Sequence, residues 1–249
     1  MIETRSPWWL LERMLEVGEA RLGPGADSPF SREQVEAAAL PAPLKAALTA
    51  HLSAASAIEA ESSYAVLETV TDPDPELRVR AARLGEREVQ LAAVARNSQL
   101  VTADPMVFAV LGESGSVGET PECLQTAGRE GAYRATSLGY SLDQVLPWRW
   151  AAPFVRLFYP CAVQVPQLEW RGPVDEMASL IDRALGLPPG PAFECGWVVG
   201  RIEPGAVWLS AIRTGDVRTV HLGGEMKVVR GLQEALTDAA AKQRRIGPG

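Results

Sequence analysis

Ala206-Val-Trp-Leu-Ser-Ala-Ile212 aligns without a gap with an earlier stretch of the same chain, Glu88-Val-Gln-Leu-Ala-Ala-Val94. The match extends in both directions, so that residues 76–103 align with residues 194–221 at the same offset. A strand unit repeated at this separation predicts two similar half-domains and not a solenoid, whose repeats are much shorter. The alternative is a coincidence between two amphipathic strands, because alternation of apolar and polar residues makes unrelated strands alike.

The repeat has similar surroundings in both halves of the chain. Each copy follows a helical pattern and a proline-rich breaker, which is Asp72-Pro-Asp-Pro75 in the first half and Pro188-Pro-Gly-Pro191 in the second. Residues in each copy then alternate with a period of two, which is typical of an antiparallel meander; in the first copy the third strand is predicted over residues 99–103. The sequence therefore predicts an α+β fold: two similar helix–antiparallel meander–helix halves with a pseudo-twofold duplication.

Three ranges follow from this organisation. Residues 1–111 are predicted to form an N-terminal half, in which helices precede a three-strand meander and a short helix that starts at Asp104. Residues 112–172 contain a linker that extends to Gly131, and then a central region rich in Trp and Pro whose structure the pattern leaves open. Residues 173–249 are predicted to form a C-terminal half with a helix, a three-strand meander and a C-terminal helix.

Several helix ends carry signals in the sequence. Ser6 is predicted to cap a first helix, because a proline follows it at the position where helices tolerate proline best. Ser31 and Gln34 have the spacing of a capping box. The helix predicted over residues 174–185 should end at Gly186, because glycine adopts the left-handed conformation that commonly terminates helices.

Composition and charge limit the classes of protein to consider. Hydrophobic residues make up 47% of the 249 residues and charged residues 22%, as in ordinary globular domains. The net charge of −7 argues against a nucleic-acid partner, because a phosphate backbone selects clustered Lys and Arg. Cys123, Cys161 and Cys195 are far apart, which favours a reducing compartment. Because the chain has no long apolar run and no leader pattern, we expect a cytoplasmic protein without membrane insertion.

Signatures of catalysis and of cofactor binding are sparse. His51 and His221 are the two histidines, and neither stands at a metal-ligand spacing from another His or Cys. No phosphate-binding glycine loop or nucleophile motif occurs. We therefore expect a protein without enzymatic activity, cofactor or metal. Most of the 7 tryptophans are expected in the core or half-buried, and one or two in an interface.

One enzymatic alternative stays open. Residues 84–104 superficially resemble the second half of a PIN-domain ribonuclease, a family in which clustered carboxylates hold a divalent metal for phosphodiester hydrolysis. The matching acids would be Glu68, Glu86 and Asp104. The strand-like alternation of residues 89–95 argues against this alternative, because that family has a helix there.

Several segments together resemble the EspG-type chaperones of type VII (ESX) secretion systems. Residues 67–83 resemble a helix of that family that ends in an acidic and proline-rich break, with the strand with arginines that follows it, and residues 85–102 resemble its paired strands. The segment Ser114-Gly-Ser-Val117, with Leu124 and Ala127, resembles the opening of the family's middle region. Residues 207–236 resemble its closing strands and helix.

The resemblance implies a pseudo-twofold α+β fold and a non-enzymatic role in the cytoplasm. It implies a chaperone that keeps a helical secreted protein, of the PE–PPE or WXG type, soluble until it reaches the secretion machine. Such a chaperone covers the apolar tip of its partner, and the loops of a meander offer a suitable surface. The expected partner-binding residues form the exposed turn of the first meander: Arg96, Asn97, Ser98 and Gln99.

Three further possibilities stay open at this point. The turn that contains the expected partner-binding residues could be an ordinary hairpin turn, because loops are exposed whether or not they bind. The chain could also form a homodimer. Finally, it could be a structural or assembly subunit of a phage or of a secretion machine, which would lack catalytic residues too and would assemble into a ring or tube.

Overall fold

Seven helices and eleven strands make up the described part of the chain. The computed structural model describes residues 2–38, 40–62, 66–67, 79–84, 86–96, 106–110, 122–127 and 134–245. The helices are α1 (Pro7–Leu22), α2 (Arg32–Ala37), α3 (Ala42–Ala50), α4 (Leu52–Glu61), α5 (Leu142–Phe158), α6 (Val174–Leu185) and α7 (Met226–Arg245). The strands are β1 (Ile2–Thr4), β2 (Val79–Leu84), β3 (Arg87–Arg96), β4 (Met106–Val110), β5 (Glu122–Ala127), β6 (Arg134–Ser141), β7 (Cys161–Glu169), β8 (Ala192–Cys195), β9 (Val198–Ile202), β10 (Val207–Thr214) and β11 (Val217–Gly224).

The chain divides into two units, of which unit 1 comprises Met1–Val17 and Ala151–Gly249. It contains a six-stranded sheet with the order β1-β8-β9-β10-β11-β7. The pairing is antiparallel except between β1 and β8, which run parallel with Ile2 opposite Ala192. The fold is therefore α+β with a mixed sheet. The three ranges expected from the sequence stay a prediction.

One face of this sheet is covered by α6 and α7. Both helices are amphipathic, and their buried side chains form one apolar cluster with the strands. The central members of this cluster are Met177 and Ile181 of α6, Val229, Leu232 and Leu236 of α7, and Trp208, Val220 and Leu222 of the sheet. Apolar burial on this face is the main stabilisation of the layer, at about 25 cal/mol for each Å² removed from water.

The opposite face of the sheet contacts α1 and α5. The ring of Trp9 lies 5.1 Å from that of Phe193, edge to face. A side chain at Gly223 would overlap Val155 and Tyr159, so glycine allows α5 to approach β11 closely. Because both faces are covered, β10 and β11 are buried along most of their length.

Unit 2 comprises Gly18–Trp150 and contains a closed barrel of five strands, β2-β3-β4-β5-β6. Consecutive strands pair antiparallel, and the barrel closes through the parallel pair of Arg83 in β2 and Arg134 in β6. A closed barrel with an odd number of strands of alternating direction requires one parallel pair, because its first and last strands run in the same direction.

Most of the helix predictions are confirmed. The Ser6 hydroxyl accepts a hydrogen bond from the Trp9 backbone at 3.1 Å. The capping box of Ser31 and Gln34 starts α2, with bonds in both directions. Gly186 ends α6 in the left-handed conformation, with φ of 64°. These signals are local, and the structure reproduces them because tertiary contacts do not oppose them.

Two predictions around the first meander are wrong. The helix expected from Asp104 to residue 111 is replaced by strand β4, and the expected linker over residues 112–131 contains strand β5. Periodicity cannot separate a helix from a strand in a short apolar run such as Met106–Val110, and pairing with β3 decides for the strand. The third strand expected over residues 99–103 lies outside the described residues.

The described residues show no internal duplication. One sheet is a five-stranded barrel and the other an open mixed sheet. The two aligned hairpins also differ in register: Val89 pairs with Ala82, whereas its counterpart Val207 pairs with Ile202 and not with Gly200, the counterpart of Ala82. The alignment therefore relates the strands of the two hairpins but not the register in which they pair.

In the described ranges, none of the helices combines the length and the apolar character that a bilayer crossing requires.

The buried histidine of β11 predicts a pH-dependent stability. Burial, and to a lesser degree the charge of Arg156, lower the pKa of His221 from 6.5 to about 4. The unfolded chain therefore takes up the proton first, and His221 stabilises the fold less as the pH falls from 6.5 towards 4. We expect this group to cost about 2 kcal/mol of unfolding free energy between pH 7 and pH 5.

Urea denaturation at the two pH values checks this expectation. The His221→Gln variant provides the reference, because carboxylates titrate in both proteins whereas the histidine titrates only in the wild type. Equal losses of unfolding free energy in wild type and variant would contradict the assignment.

Candidate functional site

The structure describes only part of the partner-binding turn expected from the sequence. Arg96 is the last residue of β3 and pairs with Met106 of β4. Asn97, Ser98 and Gln99 lie outside the described residues. The turn therefore stays a prediction, and its first residue is placed at the end of a barrel strand.

The structure describes one of the three acids of the ribonuclease alternative. Glu86 lies exposed in the turn between β2 and β3, whereas Glu68 and Asp104 lie outside the described ranges. Elsewhere in those ranges, no three side chains of His, Cys, Asp or Glu are grouped in a way that could hold a metal ion. Strand β3 also occupies the position where that family has a helix.

A concave surface of unit 1 lies on the outside of α6 and α7. The two helices run antiparallel, because Gln243 near the end of α7 accepts hydrogen bonds from the backbone of Arg171 and Gly172, just before α6. These bonds measure 2.9 and 3.3 Å. Two adjacent antiparallel helices leave a groove along their outer seam, into which a third helix can pack.

This surface, which we name the α6–α7 groove, has a volume of about 570 Å³ and mostly apolar walls. Its lining residues are Asp175, Glu176, Ser179, Leu180, Arg183, Ala184 and Ala235. Gly231 is exposed one turn before Ala235 on α7, and a Cβ there would meet no atom within 4 Å. Small side chains on both helices thus leave room for a close approach.

Charge is distributed unevenly along the groove. Asp175 and Glu176 occupy the first turn of α6, where carboxylates interact favourably with the helix dipole. Arg183 lies near the other end of α6, about 12 Å along the axis from Asp175 at 1.5 Å per residue. A partner that lies in the groove therefore meets negative charge at one end and positive charge towards the other.

A buried polar cluster fixes α6 to the sheet beneath the groove. Asp182 accepts a hydrogen bond from the indole nitrogen of Trp208 at 2.7 Å and an ion-pair bond from Arg201 at 3.3 Å. The Arg201 guanidinium, 5% exposed, also donates to the Pro188 carbonyl at 2.9 Å and to Glu203 at 2.8 Å. These bonds join α6 to β9 and to β10, and β9 to the loop that follows α6, so the position of α6 on the sheet is fixed.

A second concavity, which we name the end pocket, lies where α6 ends and α7 begins. It has a volume of about 390 Å³, and its walls are about half apolar, through Leu185, Leu187, Pro188, Pro204 and Val228. The charged residues that line it are Glu203 and Glu225. Since Val228 of the pocket and Ala235 of the groove are seven residues apart on α7, the two concavities follow the same side of that helix.

The groups with a shifted pKa lie away from both concavities. Burial raises the pKa of the Cys195 thiol to about 12, so this thiol is inert as a nucleophile. Burial lowers the pKa of Arg218, and nearby Glu194 and Asp216 oppose this shift. The groove and end pocket are therefore suited to binding by packing and charge.

Sequence reasoning did not identify the groove. It correctly predicts both helices and their apolar faces, but the groove is formed by their outer residues. The one signal that could have indicated it is the combination of Gly231 and Ala235 on the polar side of an amphipathic helix. Long polar side chains are more usual there than glycine, which destabilises a helix interior.

Comparison of this chain with models of protein families, with curated proteins and with solved structures returns no match.

The polar cluster under α6 predicts a large cost for removing its cation. The Arg201→Ala variant leaves Asp182 half-buried without its ion-pair partner, and we expect a loss of about 3 kcal/mol in unfolding free energy. Arg213→Ala, at an exposed position of β10, should change stability by less than about 0.5 kcal/mol. Chemical denaturation of both variants checks the difference, and similar stabilities would contradict the role of Arg201.

The exposed glycine of α7 predicts a gain in stability. Gly231→Ala adds a methyl group into open space and restricts the unfolded chain, so we expect a gain of about 0.5–1 kcal/mol. Gly200→Ala should be strongly destabilising, because its Cβ would clash with the Trp208 carbonyl. Thermal denaturation distinguishes the two, and a loss of stability in Gly231→Ala would show that the position is packed.

Proposed function

We propose that this chain is a non-enzymatic cytoplasmic chaperone, which binds a helical secretion substrate and keeps it soluble for type VII secretion. The observation that carries the proposal is the α6–α7 groove. A groove between two antiparallel helices accepts a third helix, and exposed small residues let its backbone come close. The substrate of this proposal is a PE–PPE or WXG-like helical protein, as the sequence resemblance to EspG-type chaperones implies.

The character of the groove agrees with reversible binding. Its walls are mostly apolar, whereas its ends carry Asp175, Glu176 and Arg183, which are solvated in the free protein. Packing in the apolar centre supplies affinity, and charges at the rim select the orientation of the partner. A chaperone needs this combination, because it has to release its substrate at the secretion machine.

Two elements of the proposal come from the sequence. The turn that begins at Arg96 is proposed as a second contact with the substrate, on unit 2. The pseudo-twofold duplication of the EspG-type fold is proposed to relate the hairpins β2–β3 and β9–β10. Binding at the α6–α7 groove does not require the duplication, because the groove lies entirely within unit 1.

Co-purification tests the proposal directly. The tagged protein is isolated from its native cytoplasm, and mass spectrometry identifies what stays bound. We expect a small helical secretion substrate at a stoichiometric ratio. Recovery of the protein alone as a monomer would contradict the chaperone proposal. Recovery as a large homo-oligomer would also contradict it and would favour a structural or assembly subunit.

A pair of variants on α7 locates the binding surface. Ala235→Trp fills the groove and should reduce substrate recovery at least about tenfold, because the indole occupies the space of the partner helix. Thr237→Trp places the same side chain on another side of α7 and should leave recovery unchanged. Circular dichroism confirms that both variants are folded. Equal recovery with both variants would exclude the groove as the binding surface.

A further inference from the structure

The end pocket combines two features that one kind of side chain satisfies together. About half of its wall is apolar, through residues such as Leu187, Pro188 and Val228, and its charged lining residues are the carboxylates of Glu203 and Glu225. A purely apolar side chain would bring no charge partner to Glu225 and would leave Glu203 with Arg201 alone, and a compact cation would not contact the apolar residues of the wall. Lysine and arginine have an apolar stem and a charged head, and so match both features.

The position of Glu203 is determined before any partner arrives. Its backbone nitrogen bonds to the Ala206 carbonyl at 3.0 Å, and its carbonyl accepts a bond from the Tyr159 hydroxyl at 2.8 Å. One carboxylate oxygen of Glu203 lies 2.8 Å from Arg201, which holds the side chain in place. A preorganised acceptor costs little conformational entropy when it binds.

Among the residues that line this pocket, both charged ones are carboxylates. Arg201 is shared between Asp182 and Glu203, so this single guanidinium faces two carboxylates. Glu225 adds a third carboxylate at the start of α7. The chain as a whole carries a net charge of −7, which favours the approach of a cation as well.

We propose that the end pocket binds a lysine or arginine side chain of the partner helix that lies in the α6–α7 groove. The aliphatic stem packs against the apolar walls, and the cationic head lies between Glu203 and Glu225. The inference rests on the proposed function, because it assumes that a helical partner occupies the neighbouring groove. It assigns to that partner a basic residue at one end of an apolar ridge.

Matched synthetic peptides test the inference. The probe is an alanine-based helical peptide of roughly 16 residues with a leucine ridge and one lysine near either end, long enough to be helical by itself. The reference peptide has norleucine in place of lysine, which keeps the stem and removes the charge. Fluorescence anisotropy measures the affinity of both peptides for the full chain.

We expect the lysine peptide to bind about tenfold more tightly than the norleucine peptide, as for one charge-assisted hydrogen bond. The preference should disappear in the double variant Glu203→Gln with Glu225→Gln, in which glutamine still offers an oxygen to Arg201. It should persist in the control Asp216→Asn with Glu234→Gln, which removes two exposed carboxylates away from the pocket. Thermal denaturation shows that both double variants remain folded.

Two results would overturn the inference. One is a wild type that does not prefer lysine to norleucine, whether it binds both peptides or neither. The other is a preference that survives in the double glutamine variant. Co-purification distinguishes this inference from the proposed function. If wild type and the double glutamine variant retain a native substrate equally, the proposed lysine site is wrong and the chaperone proposal stands. If no substrate is retained, the chaperone proposal is wrong.

Discussion

Asp182 connects the helical layer of unit 1 to its sheet. Its two carboxylate oxygens accept from Trp208 on β10 and from Arg201 on β9, while the residue itself belongs to α6. A half-buried carboxylate is stable only when it is paired and hydrogen-bonded, so the position of α6 over these two strands is strictly constrained. The apolar cluster of α6 and α7 supplies most of the stabilisation, and the Asp182 bonds select one register for it.

The candidate site follows from this constraint. Because α6 is tied to the sheet and α7 is tied to the start of α6 by Gln243, the separation of the two helices cannot adjust freely. Their outer residues are small at Ala184, Gly231 and Ala235, and a groove remains between them. The same Arg201 that bonds Asp182 also orders Glu203, so the attachment of α6 to the sheet and one wall of the end pocket share one polar cluster. A variant that disturbs Arg201 would therefore affect stability and binding together.

Some elements of this fold could be predicted from the sequence and others could not. The helices α6 and α7, the cap of Ser6 and the end of α6 at Gly186 are local features, and local chemistry was sufficient to predict them. Met106–Val110 was mistaken for a helix because a short apolar run has no distinctive period, and its pairing with β3 is a long-range contact. The register of the two aligned hairpins could not be predicted for a related reason. Val89 and Val207 stand in similar patterns, but a pattern does not specify the partner strand or its register.

The order of residues along this chain was enough to predict an α+β protein, the helices α1, α6 and α7 and the strands β10 and β11, whereas it left the long helix α5 open. These properties depend on neighbours within a few residues, where propensity and periodicity act directly. Four features were decided only by the tertiary structure. They are the barrel of unit 2, the parallel pairing of β1 with β8, the groove between α6 and α7, and the contacts of Arg201 with Asp182 and Glu203. They arise between segments that are distant in sequence, and their geometry is determined by packing, which no local pattern encodes.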